Sequence, residues 1–282
     1  MPAINRLAGQ VAAVTGGGSG MGRALARRLA SVGAHVAVCD VTEDALATVT
    51  AELADLPGEV VASVVDVSDR AAVERWAAAT QDHFGKVNYI FNNAGVSVTG
   101  HVDVLGLADF EWLMNINFWG VVHGTQAFLP YLRAAPYGHV VNTASVFGII
   151  AVPTQAAYNA SKFAVRGFTE ALRQELRDTS VGVSCVCPGG VKTNIVNSSR
   201  YIPQDNAAPS KESMASSFEE LAGLTADQAA DVILRGVLGN KARILVGNDA
   251  KFIALMHRLL PVQYPRLLRW LRERRNDENL PV

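Results

Sequence analysis

The chain has 282 residues, 49% of them hydrophobic and 18% charged, and its formal net charge is −1 at pH 7. This charge gives no general electrostatic reason to bind nucleic acid. The chain also shows neither a signal peptide nor an apolar run of the roughly 18 residues that a membrane span requires. We therefore expect a globular protein with a sizeable core, by default in the cytoplasm.

Seven short apolar runs bounded by turn residues recur along the chain, and segments with helical spacing lie between them. The runs are QVAAVTG, HVAVCD, VVASVVD, VNYIFNNAG, HVVNTAS, VGVSCVCPG and RILVG. Most are too continuous for strands with one wet face and are typical of parallel strands buried on both sides. The alternation predicts an α/β fold: a doubly wound parallel sheet of the Rossmann type in three α/β/α layers. We expect a single domain over residues 1–250.

The first predicted strand runs into a helix through a glycine-rich turn, TGGGSGMG at residues 15–22. Small residues in such a turn let the backbone approach a pyrophosphate, and the amides at the helix N-terminus attract its charge. Between the first strand and first helix of a parallel sheet, this pattern favours dinucleotide binding.

Asp40 ends the second predicted strand, eighteen positions beyond Gly22. This is near the spacing at which an acidic side chain meets the adenosine ribose. A carboxylate there accepts hydrogen bonds from the ribose hydroxyls and repels a 2′-phosphate, so the sequence favours NAD over NADP. Capping of the following turn by Asp40 is compatible with that role. Arg23 carries a charge that attracts a 2′-phosphate, but solvation explains an arginine early in this helix equally well.

The three cysteines, Cys39, Cys185 and Cys187, lie within apolar runs. Cys185 and Cys187 share one face of a predicted strand, but no second pair or histidine stands near them to complete a metal site. We expect all three to be reduced core residues.

A serine, a tyrosine and a lysine flank an apolar segment, SVFGIIAVPTQAAYNASK. Tyr158 and Lys162 are four residues apart in a segment with helical periodicity, which places them on one face, one turn apart. A cation beside a tyrosine favours its phenolate, so we expect a lowered tyrosine pKa. Ser145 ends a predicted strand, where open α/β sheets bind ligands. The three side chains therefore form a candidate reaction centre, although such a Tyr/Lys pair alone also occurs by chance.

Two regions depart from the strand–helix alternation. Residues 197–223 are polar and rich in Ser, Asn and Pro, and we expect them to form a lid over substrate. Thr225 and Gln228 follow with capping-box spacing. Residues 251–282 predict a C-terminal extension of two helices, the second rich in Arg, with a break near Pro261. This tail is compatible with packing on its own domain, covering a neighbouring subunit or resting on an anionic membrane.

From about residue 7 to residue 246 the sequence resembles the short-chain dehydrogenase/reductase family, in its shorter, single-domain branch. The matching motifs are TGGGSGMG at 15–22, Asp66 with Val67, NNAG at 92–95, Asn117 in MNINFWG, Ser145, YNASK at 158–162 and PGGVKT at 188–193. So many motifs in the same order make a chance resemblance negligible.

The resemblance implies four catalytic residues. Tyr158 acts as the general base in alcohol oxidation and as the acid in carbonyl reduction, while Ser145 hydrogen-bonds the substrate oxygen. Lys162 holds the nicotinamide ribose and lowers the tyrosine pKa. Asn117 holds a water that links Lys162 to solvent, and its spacing to FWG favours it over the neighbouring Asn115. This mechanism needs no metal.

The resemblance also implies the contacts to NAD. The expected cofactor-binding residues are Gly16, Ser19, Gly20, Met21, Gly22, Asp40, Asp66, Val67, Asn93, Ala94, Gly95, Tyr158, Lys162, Pro188, Gly189, Val191 and Thr193. Asp66 and Val67 contact the adenine, and Val191 and Thr193 hold the nicotinamide amide. Asn93 supports the central sheet, where an asparagine at a strand end also often satisfies backbone groups.

The segment between Ser145 and Tyr158 predicts an apolar wall beside the reacting carbon. The expected substrate-binding residues are Ser145, Phe147, Ile150, Val152, Tyr158 and Gly190. Such a wall favours a secondary alcohol or ketone on a hydrophobic, lipid- or steroid-like skeleton over a phosphorylated sugar. The alternative is that half of the apolar side chains in this segment face the core.

The main interpretation is an NAD-dependent alcohol dehydrogenase or ketone reductase. The family implies a homotetramer, or a dimer, formed through the helices that contain Asn117 and Tyr158. One alternative is a redox-sensing regulator that binds NAD without turnover, although the presence of both Tyr158 and Lys162 argues against it. Another is a sugar-nucleotide epimerase or dehydratase of the family's longer branch, which has a different glycine spacing and a larger C-terminal part.

Overall fold

The computed structural model describes residues 4–195, 199–203, 211–212, 216 and 222–275, and of residues 271–275 the backbone alone. Most of the predicted lid at 197–223 lies outside the described residues.

The centre of the described structure is a seven-stranded parallel sheet. In chain order the strands are β1 (Val11–Thr15), β2 (His35–Asp40), β3 (Val60–Val64), β4 (Tyr89–Asn92), β5 (Val98–Thr99), β6 (Gly138–Thr143), β7 (Val181–Pro188), β8 (Val191–Lys192), β9 (Arg200–Tyr201), β10 (Leu224–Thr225) and β11 (Arg243–Val246). The central sheet has the order β3-β2-β1-β4-β6-β7-β11, with every neighbouring pair parallel. The four short strands pair separately, β5 with β9 and β8 with β10. The seven strands predicted from the apolar runs are therefore confirmed.

Helices cover both faces of the sheet. Their bounds are α1 (Gly20–Ser31), α2 (Glu43–Leu53), α3 (Arg70–Phe84), α4 (Leu107–Met114), α5 (Gly120–Ala134), α6 (Ala156–Glu175), α7 (Ala226–Leu238), α8 (Asn248–Leu259) and α9 (Tyr264–Arg275). Helices α1, α2 and α7 pack on one face and α3, α5 and α6 on the other. Every residue of β1 is buried: Ala12 and Val14 face the first layer, whereas Ala13 faces the second. Burial on both faces explains the continuous apolar runs, and the predicted three-layer fold is confirmed.

Local sequence signals set several helix ends. The Asp69 carboxylate accepts a hydrogen bond from the Ala72 amide at the start of α3, and Gly85 ends that helix in the left-handed conformation at φ +74°. At the start of α7, Thr225 and Gln228 form the predicted capping box. These contacts satisfy backbone groups that a helix end leaves unpaired.

The C-terminal extension consists of α8 and α9, separated by a break that contains Pro261, as expected. Both helices pack on the segment that follows β6, through Met256, Ile253, Tyr264, Leu267 and Leu268. The Tyr264 hydroxyl also accepts a hydrogen bond from the Ala151 amide at 2.9 Å. The tail therefore lies against the segment between Ser145 and Tyr158.

Candidate active site

The carboxyl ends of the parallel strands bring the predicted site residues to one edge of the sheet. The glycine turn follows β1, Asp40 ends β2, Asn93 follows β4, Ser145 follows β6 and Pro188 ends β7. The strand order reverses between β1 and β4. Open α/β sheets bind ligands at such a reversal.

Tyr158 and Lys162 project from one face of α6 toward the end of β6. The Lys162 ammonium Nζ lies 5.6 Å from the centroid of the Tyr158 ring and donates to the Thr143 carbonyl at 3.1 Å. The Ser145 Oγ accepts a hydrogen bond from the Phe147 amide at 3.1 Å, which begins a short 3₁₀ turn. The Ser145 hydroxyl also lies near enough to the Tyr158 phenol to lower the pKa of that phenol. The structure thus brings the three predicted side chains together.

Burial dominates the ionisation of this pair. It raises the pKa of Tyr158 to about 12, and the Ser145 hydroxyl offsets only part of that rise. Burial also lowers the pKa of Lys162 to about 8, against the opposing effect of the nearby Cys185 and Cys187. Desolvation of the phenolate therefore dominates the Tyr158 pKa in this structure. The lowering of that pKa by the Lys162 ammonium together with an oxidised nicotinamide stays a prediction.

Asn117 lies in a single π-helical turn, Asn115–Trp119, between α4 and α5. Its Oδ1 accepts from the Val96 amide at 2.8 Å, and its Nδ2 donates to the Val96 carbonyl at 2.9 Å and to the Ser161 Oγ at 3.2 Å. The amide is fully buried. Asn117 therefore fixes the segment after β4 beside the helix that carries Tyr158 and Lys162, and π-helical turns are frequent at functional sites.

Close packing against the protein backbone requires glycine at several positions of the turn. Gly16 has φ +65°, and a Cβ there would lie 2.8 Å from the Ala94 Cα. A Cβ on Gly22 would lie 2.0 Å from the Gly16 carbonyl oxygen. Gly20 faces Thr193, whose Cγ2 would be 3.3 Å from a Cβ at Gly20. The glycine turn therefore meets the segment after β7 at the carboxyl edge of the sheet, and we call these two segments together the cradle.

The remaining residues of the turn hold its shape. Ser19 is the N-cap residue of α1, and Met21 packs on the apolar core. The Thr15 Oγ1 accepts from the amides of Asn93 at 2.9 Å and Ala94 at 3.0 Å, while Asn93 Nδ2 donates to the Thr15 carbonyl at 3.1 Å. Asn93 therefore ties β4 to β1 as expected. Thr15 is a supporting residue that the sequence reasoning missed; its only signal is a hydroxyl in a buried apolar strand.

Asp40 lies beside the glycine turn with both carboxylate oxygens engaged. Oδ2 accepts from the Gly18 amide at 3.1 Å, and Oδ1 accepts from the Thr42 amide at 3.2 Å. The bond from the Thr42 amide is the turn cap expected from the sequence. The bond from the Gly18 amide fixes the carboxylate beside the glycine turn. Arg23 is paired with Glu52, its Nε donating to Glu52 at 2.6 Å, which accounts for this arginine without a phosphate.

Asp66 and Val67, the residues expected to contact the adenine, lie in the loop after β3. Asp66 Oδ1 accepts from the Ser68 amide at 2.8 Å and from its hydroxyl at 2.7 Å. Val67 is buried, and its carbonyl lies 3.0 Å from His123 Nδ1. These contacts fix the loop after β3 at the same edge of the sheet as Asp40.

The opposite end of the cradle is the PGG turn after β7. Val191 is buried and pairs with Leu224 in the short β8–β10 ladder. The Gly190 amide donates to Asp249 Oδ2 at 2.6 Å, and a Cβ on Gly189 would collide with the same carboxylate. Asp249, in the first turn of α8, therefore clamps the turn expected to face the nicotinamide. Sequence reasoning missed it, because the two partners are separated by 59 positions.

Gly95 keeps the space beside the polar centre open. A Cβ at Gly95 would lie 3.2 Å from Asn117 Oδ1 and 3.3 Å from Lys162 Nζ. A larger residue would therefore fill the space next to the ammonium.

The predicted substrate segment divides between two environments. The Phe147 ring meets Tyr158 edge-on, with centroids 6.1 Å apart. Ile150 and Val152 instead lie in the buried cluster that the tail covers, together with Met256. Of the apolar side chains expected to line the pocket, Phe147 lies beside Tyr158. Ile150 and Val152 face the core, as the alternative for this segment held.

Asn159 determines the course of that segment. Its Nδ2 donates to the carbonyls of Phe147 at 2.8 Å and Ile150 at 3.1 Å, and its Oδ1 accepts from the Val152 amide at 3.2 Å. Thr154 adopts φ +63°, an uncommon conformation for a β-branched residue, and its carbonyl accepts from the Gly100 amide. The sequence reasoning missed Asn159. Its position next to Tyr158 does not indicate that its side chain binds backbone groups seven to twelve residues earlier.

A second apolar cluster also includes Tyr158. It consists of Val96, Leu105, Phe110, Trp112 and Ile202, which pack with Tyr158 in one cluster. Arg200, at the start of the predicted lid, pairs with Asp109 at 2.8 Å and stacks over Trp112 at 3.6 Å from the ring centroid. The described start of the lid is therefore anchored on α4, beside Tyr158.

The three cysteines are free and buried. The sulfurs of Cys185 and Cys187 are 3.9 Å apart on one face of β7, as their spacing predicts.

Comparisons with known proteins agree with this geometry. The sequence profile of the short chain dehydrogenase family matches residues 10–202. The oxidoreductase SadH of Mycobacterium tuberculosis is 43% identical over 263 residues, covering 92% of this chain and 94% of the relative. The 3β-hydroxysteroid dehydrogenase 2 of Eggerthella lenta is 34% identical over 250 residues, covering 88% and 91%. A short chain dehydrogenase/reductase from Burkholderia phymatum, solved in complex with NAD, matches with a TM-score of 0.81 at 35% identity, covering 91% of this chain and 96% of that one. This protein therefore belongs to the short-chain dehydrogenase/reductase family of oxidoreductases.

Proposed function

We propose that the protein is an NAD-dependent dehydrogenase that interconverts a secondary alcohol and a ketone on a hydrophobic skeleton. One observation carries the proposal: Tyr158 and Lys162 from α6 meet Ser145 from the end of β6, at the edge of the sheet that also holds the glycine turn. A phenol, an ammonium and a hydroxyl in this arrangement suit proton transfer to or from a carbonyl oxygen.

Tyr158 exchanges the proton with the substrate oxygen, and the Ser145 hydroxyl donates a hydrogen bond to the same oxygen. With a pKa near 12, Tyr158 is protonated at neutral pH and is ready to act as the acid in carbonyl reduction. In alcohol oxidation its phenolate needs the Lys162 ammonium beside it. Because the pKa of Lys162 is about 8, that ammonium is present at neutral pH and is lost as the pH rises above that value.

Bound NAD supplies the hydride acceptor, and the chain's own residues hold and orient it. Lys162 is proposed to hold the nicotinamide ribose. Asn117 fixes the segment after β4 through its two hydrogen bonds to Val96. We assign to Asn117 the further role of holding the water that links Lys162 to solvent. Asp249 holds the PGG turn, against which the nicotinamide of bound NAD would lie.

The preference for NAD over NADP rests on Asp40. Its carboxylate is fixed beside the glycine turn by the amides of Gly18 and Thr42. Its remaining acceptor capacity suits the two ribose hydroxyls, and its charge opposes a 2′-phosphate. The Arg23 guanidinium, which would favour NADP, is already paired with Glu52.

The proposed substrate is a bulky apolar alcohol or ketone. Phe147 and the cluster of Val96, Leu105, Phe110, Trp112 and Ile202 surround Tyr158 with apolar groups. Apolar walls with few polar groups are typical of sites for hydrophobic ligands. The relative named as a hydroxysteroid dehydrogenase supports this size and chemistry. The segment at 197–223, anchored by Arg200, is proposed as the lid.

We further propose that the protein works as a homotetramer in the cytoplasm, with a dimer as the smaller assembly. Trp119 and Phe163, at the π-helical turn and on α6, are 48% and 39% exposed. Large exposed aromatic side chains on those elements are typical of subunit contacts.

A spectrophotometric screen tests the proposed activity. The purified protein is incubated with NAD or NADP and a series of secondary alcohols from short aliphatic compounds to sterols, and formation of the reduced nicotinamide is followed by absorbance. We expect turnover with NAD on the bulky apolar alcohols and little with NADP. The reverse reaction with the matching ketones should show the same order.

Calorimetric titration with NAD accompanies the screen. Tight NAD binding without turnover on any alcohol or ketone would contradict the proposed activity and support a redox-sensing regulator. Turnover confined to phosphorylated sugars would contradict the proposed substrate class while leaving the reaction type intact.

A further inference from the structure

The outer side of the C-terminal helix α8 carries exposed apolar side chains. Phe252, Leu255 and Leu259 are 52%, 57% and 67% exposed. They are separated by three and four positions, so they form one ridge along the helix. Leu260 and Val262 continue this exposed apolar surface into the turn before α9. Isolated exposed apolar residues are common, but five within eleven positions form a patch of the kind that marks a binding surface.

Cations border this ridge. Lys251 and Arg258 are exposed and lie seven positions apart, two helical turns along the same side of α8. Arg266 and Arg269 are exposed on α9. Residues 251–270 contain these four cations and no Asp or Glu, whereas the rest of the chain contains 21 Lys and Arg against 26 Asp and Glu. Although the net charge of the whole chain is near zero, residues 251–270 are therefore basic and the rest of the chain is acidic.

We propose that α8, the turn after it and α9 form a surface that binds anionic lipid bilayers, with the ridge of Phe252, Leu255 and Leu259 entering the headgroup region. Apolar side chains flanked by Lys and Arg on one helix are the pattern of helices that lie in a membrane interface. The four cations match the negative potential of an anionic leaflet. Within the described residues no helix is both long and apolar enough to cross a membrane, so the proposed contact is peripheral.

A second copy of the chain fits this surface less well. A two-fold contact places the same patch of two subunits face to face. Since residues 251–270 contain no carboxylate, such a contact would set the four cations of one copy against the four of the other. An anionic lipid surface supplies the missing opposite charge.

The surface is linked to the candidate active site. The inner sides of α8 and α9 pack on the segment between Ser145 and Tyr158, and the Tyr264 hydroxyl bonds to the Ala151 amide. A bilayer bound by the outer side would therefore lie close to the segment that carries Phe147. A lipid-like substrate would then reach the site from the bilayer, a consequence that rests on the proposed function; the lipid contact itself does not.

Vesicle co-sedimentation of the full-length protein tests the proposal. The probes are vesicles of phosphatidylcholine alone and of phosphatidylcholine with phosphatidylglycerol in equal parts. We expect the protein to sediment with the anionic vesicles and not with the neutral ones, and the bound fraction to fall with added salt. The double variant Lys251→Gln, Arg258→Gln should bind the anionic vesicles about thirtyfold more weakly, since each cation near an anionic surface contributes roughly 1 kcal/mol.

Two further double variants make the result interpretable. Leu255→Ser with Leu259→Ser should also release the protein, because it removes the apolar part of the contact. Arg75→Gln with Lys86→Gln removes two exposed cations elsewhere and should leave binding unchanged. Equal loss in the control pair would show a non-specific charge effect and overturn the proposal.

Absence of sedimentation with anionic vesicles would also overturn the proposal. So would a tail variant that binds vesicles like the wild type but forms a smaller assembly by light scattering, because the surface would then be a contact between subunits. The vesicle assay needs no turnover, so failure of the proposed enzymatic activity does not alter its outcome. Thermal unfolding of each variant, expected to be unchanged at these exposed positions, checks that the chain is folded.

Discussion

Replacing Asp40 by Asn should change the cofactor preference more than any other single substitution. The carboxylate is partly buried beside the glycine turn, and the Gly18 and Thr42 amides hold it in place. Two unit charges 4 Å apart near a protein surface interact by about 4 kcal/mol at an effective dielectric constant of about 20. Partial solvent exposure reduces this, so we expect the repulsion of a 2′-phosphate to be about 2–4 kcal/mol.

The Asp40→Asn variant should therefore bind NADP roughly 30- to 700-fold more tightly than the wild type. Its affinity for NAD should fall by about tenfold, because a charge-assisted hydrogen bond to the ribose is lost. Titration of both cofactors by calorimetry measures the two effects. Asp44→Asn removes a carboxylate from the first turn of α2 nearby and serves as the control for long-range charge. An unchanged ratio of NAD to NADP affinity in Asp40→Asn would refute the placement of Asp40 at the ribose.

Two further predictions concern the supporting structure. Asn159→Ala removes the side-chain partner of Phe147, Ile150 and Val152; it should lower the free energy of unfolding by about 3 kcal/mol in a urea titration and raise KM for the alcohol. Unchanged stability and KM would contradict the role of Asn159. Burial lowers the pKa of His139 to about 3 from its ordinary 6.5, so the unfolded chain binds a proton that the folded chain does not. Stability should therefore fall as the pH drops below about 6.5, by about 2 kcal/mol between pH 7 and pH 5, and His139→Gln should remove that part of the slope. An equal slope in both proteins would contradict it.

The fold could be predicted from the sequence because the relevant signals are local. The inner strands of the sheet are buried on both faces, which makes them continuous apolar runs, and the helices between the strands keep one apolar side. Tyr158 and Lys162 could be paired for the same reason, since four positions along a helix determine that they share a face. The capping box of Thr225 and Gln228 could be predicted from their spacing alone.

What could not be predicted depends on packing between distant parts of the chain. The pKa of Tyr158 is set by how completely neighbouring elements exclude water, and no residue spacing reports that. Ile150 and Val152 face the core because the tail supplies a second apolar surface for them about a hundred positions later. Asp249 reaches Gly190 because β7 and β11, which are far apart in sequence, lie side by side in the sheet.

The central claim is that Tyr158 transfers the proton, and the Tyr158→Phe substitution tests it most directly. The variant keeps the ring that packs against Phe147 and removes only the hydroxyl. We expect turnover of the best alcohol from the screen to fall by a factor of about 10² to 10⁴, the usual contribution of a general acid or base, with the affinity for NAD within about twofold of the wild type. Tyr131→Phe, at a partly buried tyrosine on α5, is the matched control and should be as active as the wild type. Turnover of Tyr158→Phe equal to that of Tyr131→Phe would contradict the account.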